Sequence, residues 1–424
     1  MTDSVVLGAA EPAERGSTPA SGLRIAVVSP FVDKQHGTER ALIETMERLA
    51  AVYGCELHLY AQHAEDIPIA PACGPGRTVW HRISALPGPH LLNFVWWYAA
   101  NRLARWFNTR FQRSKFDVVM TAGINCADAD LIVVHIVFSE FYRLVRHELR
   151  LRNAPVKAWP RLLHRILYYR LIMMLERRIY PAQRSLLAAV SKLTASEMEV
   201  HFARGDVTPI PNGVDLARFN PAERVRRRAT SRRALRLAEQ DFVVLLVGND
   251  WKKKGLDTLV QAVALCRLPA FRLVVVGRDD RTPYLAAVRK LGLENRVQFH
   301  EPLADPAHFY AAADIYAGPS LHDAFSLPVL EAMALGLPAI TSARAGVSDL
   351  VSDGVDGFVL RDATDATTLA GLLQRLYADP NLRETVGRNA AETARQYTWD
   401  RHAAEVWKLV QEAQARKVAG KAQR

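Results

Sequence analysis

Two doubly wound α/β halves facing each other across a cleft are what this sequence predicts. Three observations carry the prediction. Short runs rich in β-branched residues alternate with amphipathic helical stretches along nearly the whole chain, the pattern of βαβ units and a mainly parallel sheet. The alternation breaks once, at Ile210–Pro221 (IPNGVDLARFNP), a segment dense in turn formers, and then restarts. The 424 residues suffice for two or three domains with buried cores.

Residues 1–22 are rich in Ala, Glu, Ser, Thr and Pro and hold no long apolar run, so they read as a disordered tail rather than a signal peptide. A first domain, 23–215, opens with the strand RIAVVS (Arg24–Ser29) and a helix over Thr38–Gly54, whose apolar residues recur at helical spacing. Strands follow at ELHLYA, TVWHRI, FDVVMTAG, LIVVH and SLLAAVS. A second domain, 216–400, passes an Arg-rich stretch at Arg224–Arg233 before FVVLLVG (Phe242–Gly248), FRLVVVG, RVQFHE, DIYAGPS, AITS and GFVL. Residues 401–424 are expected to form a helix that crosses back to brace the first domain. Open α/β sheets bind ligands beyond the carboxyl ends of their strands, so the interdomain cleft is the expected site.

Composition is that of a globular protein, 49% hydrophobic and 23% charged. Cys55, Cys73, Cys126 and Cys266 are widely spaced with no C-x-x-C pair, which argues against a disulfide framework or a zinc site and for a reducing compartment. The longest strongly apolar run, Phe94–Ala100, is seven residues, far short of the roughly 20 of a membrane span; a cytoplasmic protein is expected. The formal charge of +11 is uneven: between Arg143 and Arg184, ten Arg and one Lys face two Glu, a net of +9. Such a patch suits nucleic acid, acidic lipid or an anionic substrate, and equally a solvated helix face.

The segment His322–Pro338 (HDAFSLPVLEAMALGLP) carries the most chemistry. A polar loop opens into an apolar helix and sets Asp323 and Glu331 eight positions apart. The amides of Phe325, Ser326 and Leu327 stand at the helix start, where N–H groups are unpaired and the macrodipole favours a phosphate. Glu331 is placed to accept from a ribose diol, and Asp323 lies nearer a reacting sugar. The plainer reading makes Asp323 an N-cap and Glu331 an ordinary helix residue. After FVVLLVG come Lys252, Lys253 and Lys254 before Gly255, cations at a strand end able to neutralise a diphosphate leaving group or simply a basic turn. Gly37 sits in the loop after the first strand, where its backbone can approach a ligand closely. His135 ends LIVVH and points at the cleft, or is a satisfied structural histidine. Asp128-Ala129-Asp130 spells D-x-D but precedes an apolar strand, and reads as a turn. Walker A and dinucleotide G-x-G-x-x-G motifs are absent.

In order along the chain, HGTER, AAVS before a helix, IPNGVDLARF, VGNDWKKKG, VQFHEPL with AAADIYAGPS, HDAFSLPVLEAMALGLP and AGVSDLVSDGVDGFVL together resemble glycosyltransferase family 4. This is a group of retaining enzymes of GT-B fold that includes bacterial glycan and lipopolysaccharide sugar transferases. The resemblance runs from about Arg24 to Lys408. It implies that Lys254, helped by Lys253, binds the donor diphosphate, that Glu331 binds the ribose, and that Asp323 lies by the donor sugar. It further implies that Gly37 approaches the reaction centre and that His135 stands beside the donor sugar. Three positions depart from the family pattern: Asp323 where Glu is usual, Asn249 where many members carry Arg, and Ala345-Gly346 where Gly-Gly is usual.

The expected activity is transfer of a hexose-type sugar from a nucleoside-diphosphate sugar to a hydroxyl of a glycan or lipid-linked acceptor, with retention and with no metal or other cofactor. Rival readings are a GT-B epimerase or phosphorylase and a basic nucleic-acid-binding protein, the last lacking any recognised module. LLNFVWWYAANRLARWF (Leu91–Phe107) and RLLHRILYYRLIMMLERRIY (Arg161–Tyr180) interleave apolar and aromatic residues with Arg. They suit helices on an anionic bilayer surface at the inner face of the cell membrane, or core and dimer helices.

Overall fold

The structure is a computed structural model that describes residues 22–111, 115–147, 149, 157 and 159–422. The expected tail, apart from Gly22, and part of the Arg143–Arg184 patch lie outside the described residues. The first half runs β1 (Arg24–Val28), β2 (Phe31–Val32), α1 (Gly37–Ala51), β3 (Glu56–Ala61), β4 (His63–Ala64), β5 (Thr78–Arg82) and α2 (His90–Phe111). It continues with β6 (Val118–Ala122), β7 (Leu131–Val134), α3 (Phe138–Val145), α4 (Trp159–Ile179), β8 (Leu186–Ala189), α5 (Lys192–Phe202) and β9 (Thr208–Pro209). Seven of these strands form one parallel sheet in the order β5-β3-β1-β6-β7-β8-β9.

The second half runs α6 (Pro221–Ala234), β10 (Phe242–Val247), α7 (Leu256–Cys266), β11 (Phe271–Val276), α8 (Thr282–Lys290), β12 (Val297–His300), α9 (Ala307–Ala312) and β13 (Ile315–Ala317). Then come α10 (Leu327–Ala334), β14 (Ala339–Ser342), a 3-10 turn at Gly346–Leu350, β15 (Phe358–Leu360), α11 (Ala366–Ala378), α12 (Pro380–Ala394) and α13 (Trp399–Ala422). Its six-stranded parallel sheet has the order β12-β11-β10-β13-β14-β15.

Helices cover both faces of each sheet, so the strands read as near-continuous apolar runs. In β1, Ile25 and Val27 join the core that holds Ile43 and Met46 of α1. Ala26 and Val28 enter the opposite core with Trp97 and Ile132. The order reverses direction beside β1 and again beside β10, which opens crevices at the carboxyl ends of both sheets.

Helix α13 returns to the first domain. Trp407 stacks on Tyr53 at 4.8 Å between centroids, Asp400 accepts from Arg48 at 2.6 Å, and Lys417 Nζ reaches Asp130 at 2.8 Å. The D-x-D carboxylates thus have structural partners: Asp130 also accepts the Val119 N–H at 2.8 Å, and Asp128 takes a bidentate pair from Arg105 at 2.8 Å each.

Candidate active site

The lysine-rich turn begins where β10 ends. Gly248 has φ +135°, and a Cβ there would come within 3.1 Å of Lys254 Cε. A side chain would therefore obstruct the path by which Lys254 folds back across the strand end. Lys254 Nζ pairs with Asp323 Oδ2, the two side chains being 16% and 18% exposed. Burial alone would raise the Asp323 carboxyl, but Lys254, and Lys253 beyond it, hold it below the usual aspartate range. The Asp323 backbone is pinned as well: its N–H donates to Arg344 O, and its carbonyl accepts from Gly346 N, each at 2.9 Å. Lys253 lies over the ring of Phe141, on α3 of the first domain, 5.2 Å from its centroid.

The loop then turns into α10 through Ser326, a buried residue held at φ +73° and ψ +73°. Left-handed backbone is costly for a residue with a side chain, and such strain gathers at ligand sites. Among the described residues, no side chain caps α10. Of the three expected amides, that of Phe325 is spent within the loop, on Asp323 Oδ1 at 3.3 Å. Across the domain boundary stands Gly37, the first residue of α1, whose N-terminus is likewise uncapped by a side chain. A Cβ on Gly37 would lie 3.7 Å from Leu327 Cδ1, an ordinary contact. What Gly37 contributes is its position: two helix N-termini converge on one gap, each with a positive dipole end.

Glu331 is buried on α10. Its Oε1 accepts from Arg40 Nη1 at 2.6 Å, and its Oε2 from the Tyr310 hydroxyl at 2.8 Å. A carboxylate offers about four lone-pair sites, so two partners leave room for a diol. His135 lies just past β7 and is buried. Burial first, and then the His402 ring of α13, push its imidazole down to about 3, so it is neutral near pH 7. Lys253, Lys254, Asp323, Phe325, Ser326, Leu327 and Glu331 thus share one wall, Gly37 faces them, and His135 belongs to the first domain beside α13.

Sequence reasoning missed the residues that hold the two walls together. Arg40 is the last letter of HGTER and stands in the first turn of α1, next to Glu39. Ser191, the end of AAVS, caps α5 by accepting the Thr194 N–H at 3.1 Å and donates to the Ala324 carbonyl at 2.7 Å. Glu140 accepts from Arg143 at 2.6 Å, from Arg344 at 3.0 Å and pairs with His201 at 3.2 Å; Arg143 foremost holds it down to about 2. His322 pairs with Glu197 at 2.8 Å. Asn249, at the position lacking the usual Arg, accepts the Arg278 N–H at 2.9 Å. The Arg278 guanidinium then reaches Gln35 at 3.1 Å, so a different strand end supplies an arginine at the cleft. Among the described residues, Glu56, His58 and Cys73 have metal-ligand proximity; they sit toward the start of β3, away from the cleft, and Arg24 already engages Glu56 at 2.8 Å.

Residues 227–393 match the family Glycosyl transferases group 1. A D-inositol 3-phosphate glycosyltransferase of Salinispora arenicola is 38% identical over 211 residues, 46% of this chain and 47% of that protein. The chain spans about half the length of the curated relatives it matches. Among solved structures, WaaG, a glycosyltransferase involved in lipopolysaccharide biosynthesis, superposes with a TM-score of 0.73 at 20% identity, covering 91% of this chain and 99% of WaaG. Anabaena HepE, solved with UDP and glucose, gives a TM-score of 0.66 at 19% identity, covering 92% of this chain and 100% of HepE. The protein therefore has the two-domain GT-B glycosyltransferase fold, and its second domain carries the glycosyl transferases group 1 segment.

Proposed function

We propose that this protein is a retaining glycosyltransferase of the family 4 type, moving a hexose-type sugar from a nucleoside-diphosphate sugar to a hydroxyl of a glycan or lipid-linked acceptor. The observation that carries the reading is the convergence of Lys253, Lys254 and the N-termini of α1 and α10 on one interdomain gap. Fixed donors and cations aimed at a departing diphosphate stabilise the charge that develops as the sugar–phosphate bond breaks. Glu331, held by Arg40 and Tyr310, is suited to the ribose hydroxyls, and Asp323 to the sugar side. In the proposed step the acceptor oxygen bonds to the anomeric carbon on the face the diphosphate leaves, and the acceptor proton passes to the departing phosphate oxygen. The neutral His135 would contribute a hydrogen bond rather than a charge.

Two similarities support the substrate classes. HepE was solved with UDP and glucose, and WaaG serves lipopolysaccharide biosynthesis. A thermal-shift screen of nucleoside diphosphates and their sugars tests the donor side. A ligand at about 100 times its Kd stabilises the fold by about 2.7 kcal/mol, so the true donor raises the melting temperature clearly, and a panel with no hit overturns the reading. Because the lysines supply the charge, turnover is expected to persist in EDTA; abolition by chelation would refute the metal-free part.

A further inference from the structure

We propose that a cavity between α3, α4 and α5 is a second anion site, built for a small phosphorylated ligand distinct from the sugar donor. Its volume is about 280 Å³, at the low end of small-molecule sites, which run from about 300 to 1,000 Å³. Tyr142, Arg143 and Arg146 line it from α3 and its C-terminal cap, Met173 and Arg177 from α4, and His201 from α5. The basic stretch between Arg143 and Arg184 thus contains a concave feature that the transferase chemistry does not use.

The charges select an anion. Glu140 takes Arg143 in a fork, accepting from Nε at 2.8 Å and Nη2 at 2.6 Å. A guanidinium has five N–H donors, so Arg143 is held in place with donors to spare. Arg146 and Arg177 are exposed, and among the described residues their side chains make no hydrogen bond or ion pair. The carboxylates that act on these cations are committed elsewhere. Glu140 also accepts from Arg344 at 3.0 Å and pairs with His201 at 3.2 Å. Glu197, which acts on Arg143, pairs with His322 at 2.8 Å. Glu176, beside Arg177, caps the first turn of α3. A phosphomonoester brings nearly two negative charges and three acceptor oxygens, which suit three guanidinium groups better than a single carboxylate does.

The cavity is separate from the donor wall. At 3.6 residues per turn, α3 turns Arg143 and Arg146 away from Phe141, and the helix is about 10 Å across with its side chains. Phe141, on the other side, underlies Lys253. A molecule held by Arg143, Arg146 and Arg177 is therefore not the diphosphate facing Lys253 and Lys254. The two places are still neighbours, because Glu140 stands between them on α3. It takes Arg344 from the second domain, and the Arg344 carbonyl accepts the Asp323 N–H at 2.9 Å. The occupant would lie beside a contact that joins the two domains.

The test is calorimetric titration of the full chain with inorganic phosphate and with glycerol 3-phosphate at low salt. The wild type is expected to bind both. The double variant Lys253→Met, Lys254→Met, titrated below its own melting temperature, is expected to keep a phosphate site, because neither lysine lines this cavity. Replacing Arg146 and Arg177 together with Gln removes two charge-assisted contacts and weakens binding by about tenfold or more. An unchanged melting temperature, expected because both side chains are exposed, shows that this variant folds. The proposal is overturned if the wild type binds neither compound at millimolar concentration, or if the arginine variant binds like wild type. It is also overturned if the lysine variant loses all binding, since the donor wall would then be the phosphate site. Calorimetry reads binding without turnover, so the outcome does not depend on the transferase reading.

Discussion

Replacing Lys254 with Met removes the cation that pairs with Asp323, and the structure sets two separate magnitudes for the loss. The first is stability. Breaking a buried ion pair by deleting one partner costs about 3–5 kcal/mol. Here both side chains keep some exposure, 16% and 18%, and Lys253 still faces Asp323, so about 2 kcal/mol is the expected loss. That lowers the melting temperature by roughly 4–8 °C for domains of this size. The second magnitude is catalytic. A charge-assisted contact to the diphosphate is worth about 1.5–3 kcal/mol in binding, and loss of one preorganised donor lowers kcat on the order of 10²–10³-fold.

The double variant Lys254→Met, Asp323→Asn separates the two effects. It removes both charges, so stability returns toward wild type while diphosphate binding does not. The assays are thermal unfolding, calorimetric titration with the nucleoside diphosphate found in the screen, and its release from the matching nucleotide sugar at saturation. Turnover of the single variant within about threefold of wild type would refute the assignment. Recovery of binding and turnover in the double variant would show instead that Lys254 only neutralises Asp323.

Two further outcomes follow from the domain contacts and the buried charges. Gly346→Ala would set a Cβ 2.1 Å from Ala324 O and 2.3 Å from Ser191 Oγ, so the closed pairing of the domains is lost and the radius of gyration by X-ray scattering increases; a scattering profile identical to wild type would show that the interface yields instead. Glu176, fully buried, accepts from Phe138 N, Ser139 N and Ser139 Oγ at 2.7–2.9 Å, yet burial outweighs these donors and holds its carboxyl up to about 7 against an ordinary 4.5. A raised carboxyl favours the protonated fold, so its contribution is full below pH 4.5, falls as pH rises through 7, and amounts to about 3 kcal/mol. Denaturant titration should therefore show Glu176→Gln gaining that much relative to wild type between pH 4 and 9, and a difference independent of pH would refute it.

Much of the fold was legible because each strand is written in β-branched residues over its own length. RIAVVS, FVVLLVG and FRLVVVG become β1, β10 and β11 within a residue or two of the expected ends. Strands β2, β4 and β9 were not, since two-residue strands such as Phe31–Val32 and Thr208–Pro209 hold no period to detect. The donor wall was legible for a similar reason: Lys253 to Gly255 and Asp323 to Glu331 are each local, set by a strand end and a helix start. Arg40, Tyr310, Ser191 and Arg278 were not, because nothing within their own segments indicates a partner.

The sequence by itself therefore determined the two doubly wound halves, the helix N-terminus at Leu327 and the chemistry of its flanking acids, all of which depend on neighbours within a turn or a strand. Only the tertiary structure decided who meets whom. Arg40 and Glu331 are 291 residues apart yet 2.6 Å in space, and Asp323 is held charged by a lysine 69 positions away. The same holds for α2, whose Arg105 is drawn inward by Asp128, 23 positions away, at 2.8 Å. Burial and long-range pairing are properties of the packed chain, and no local pattern encodes them.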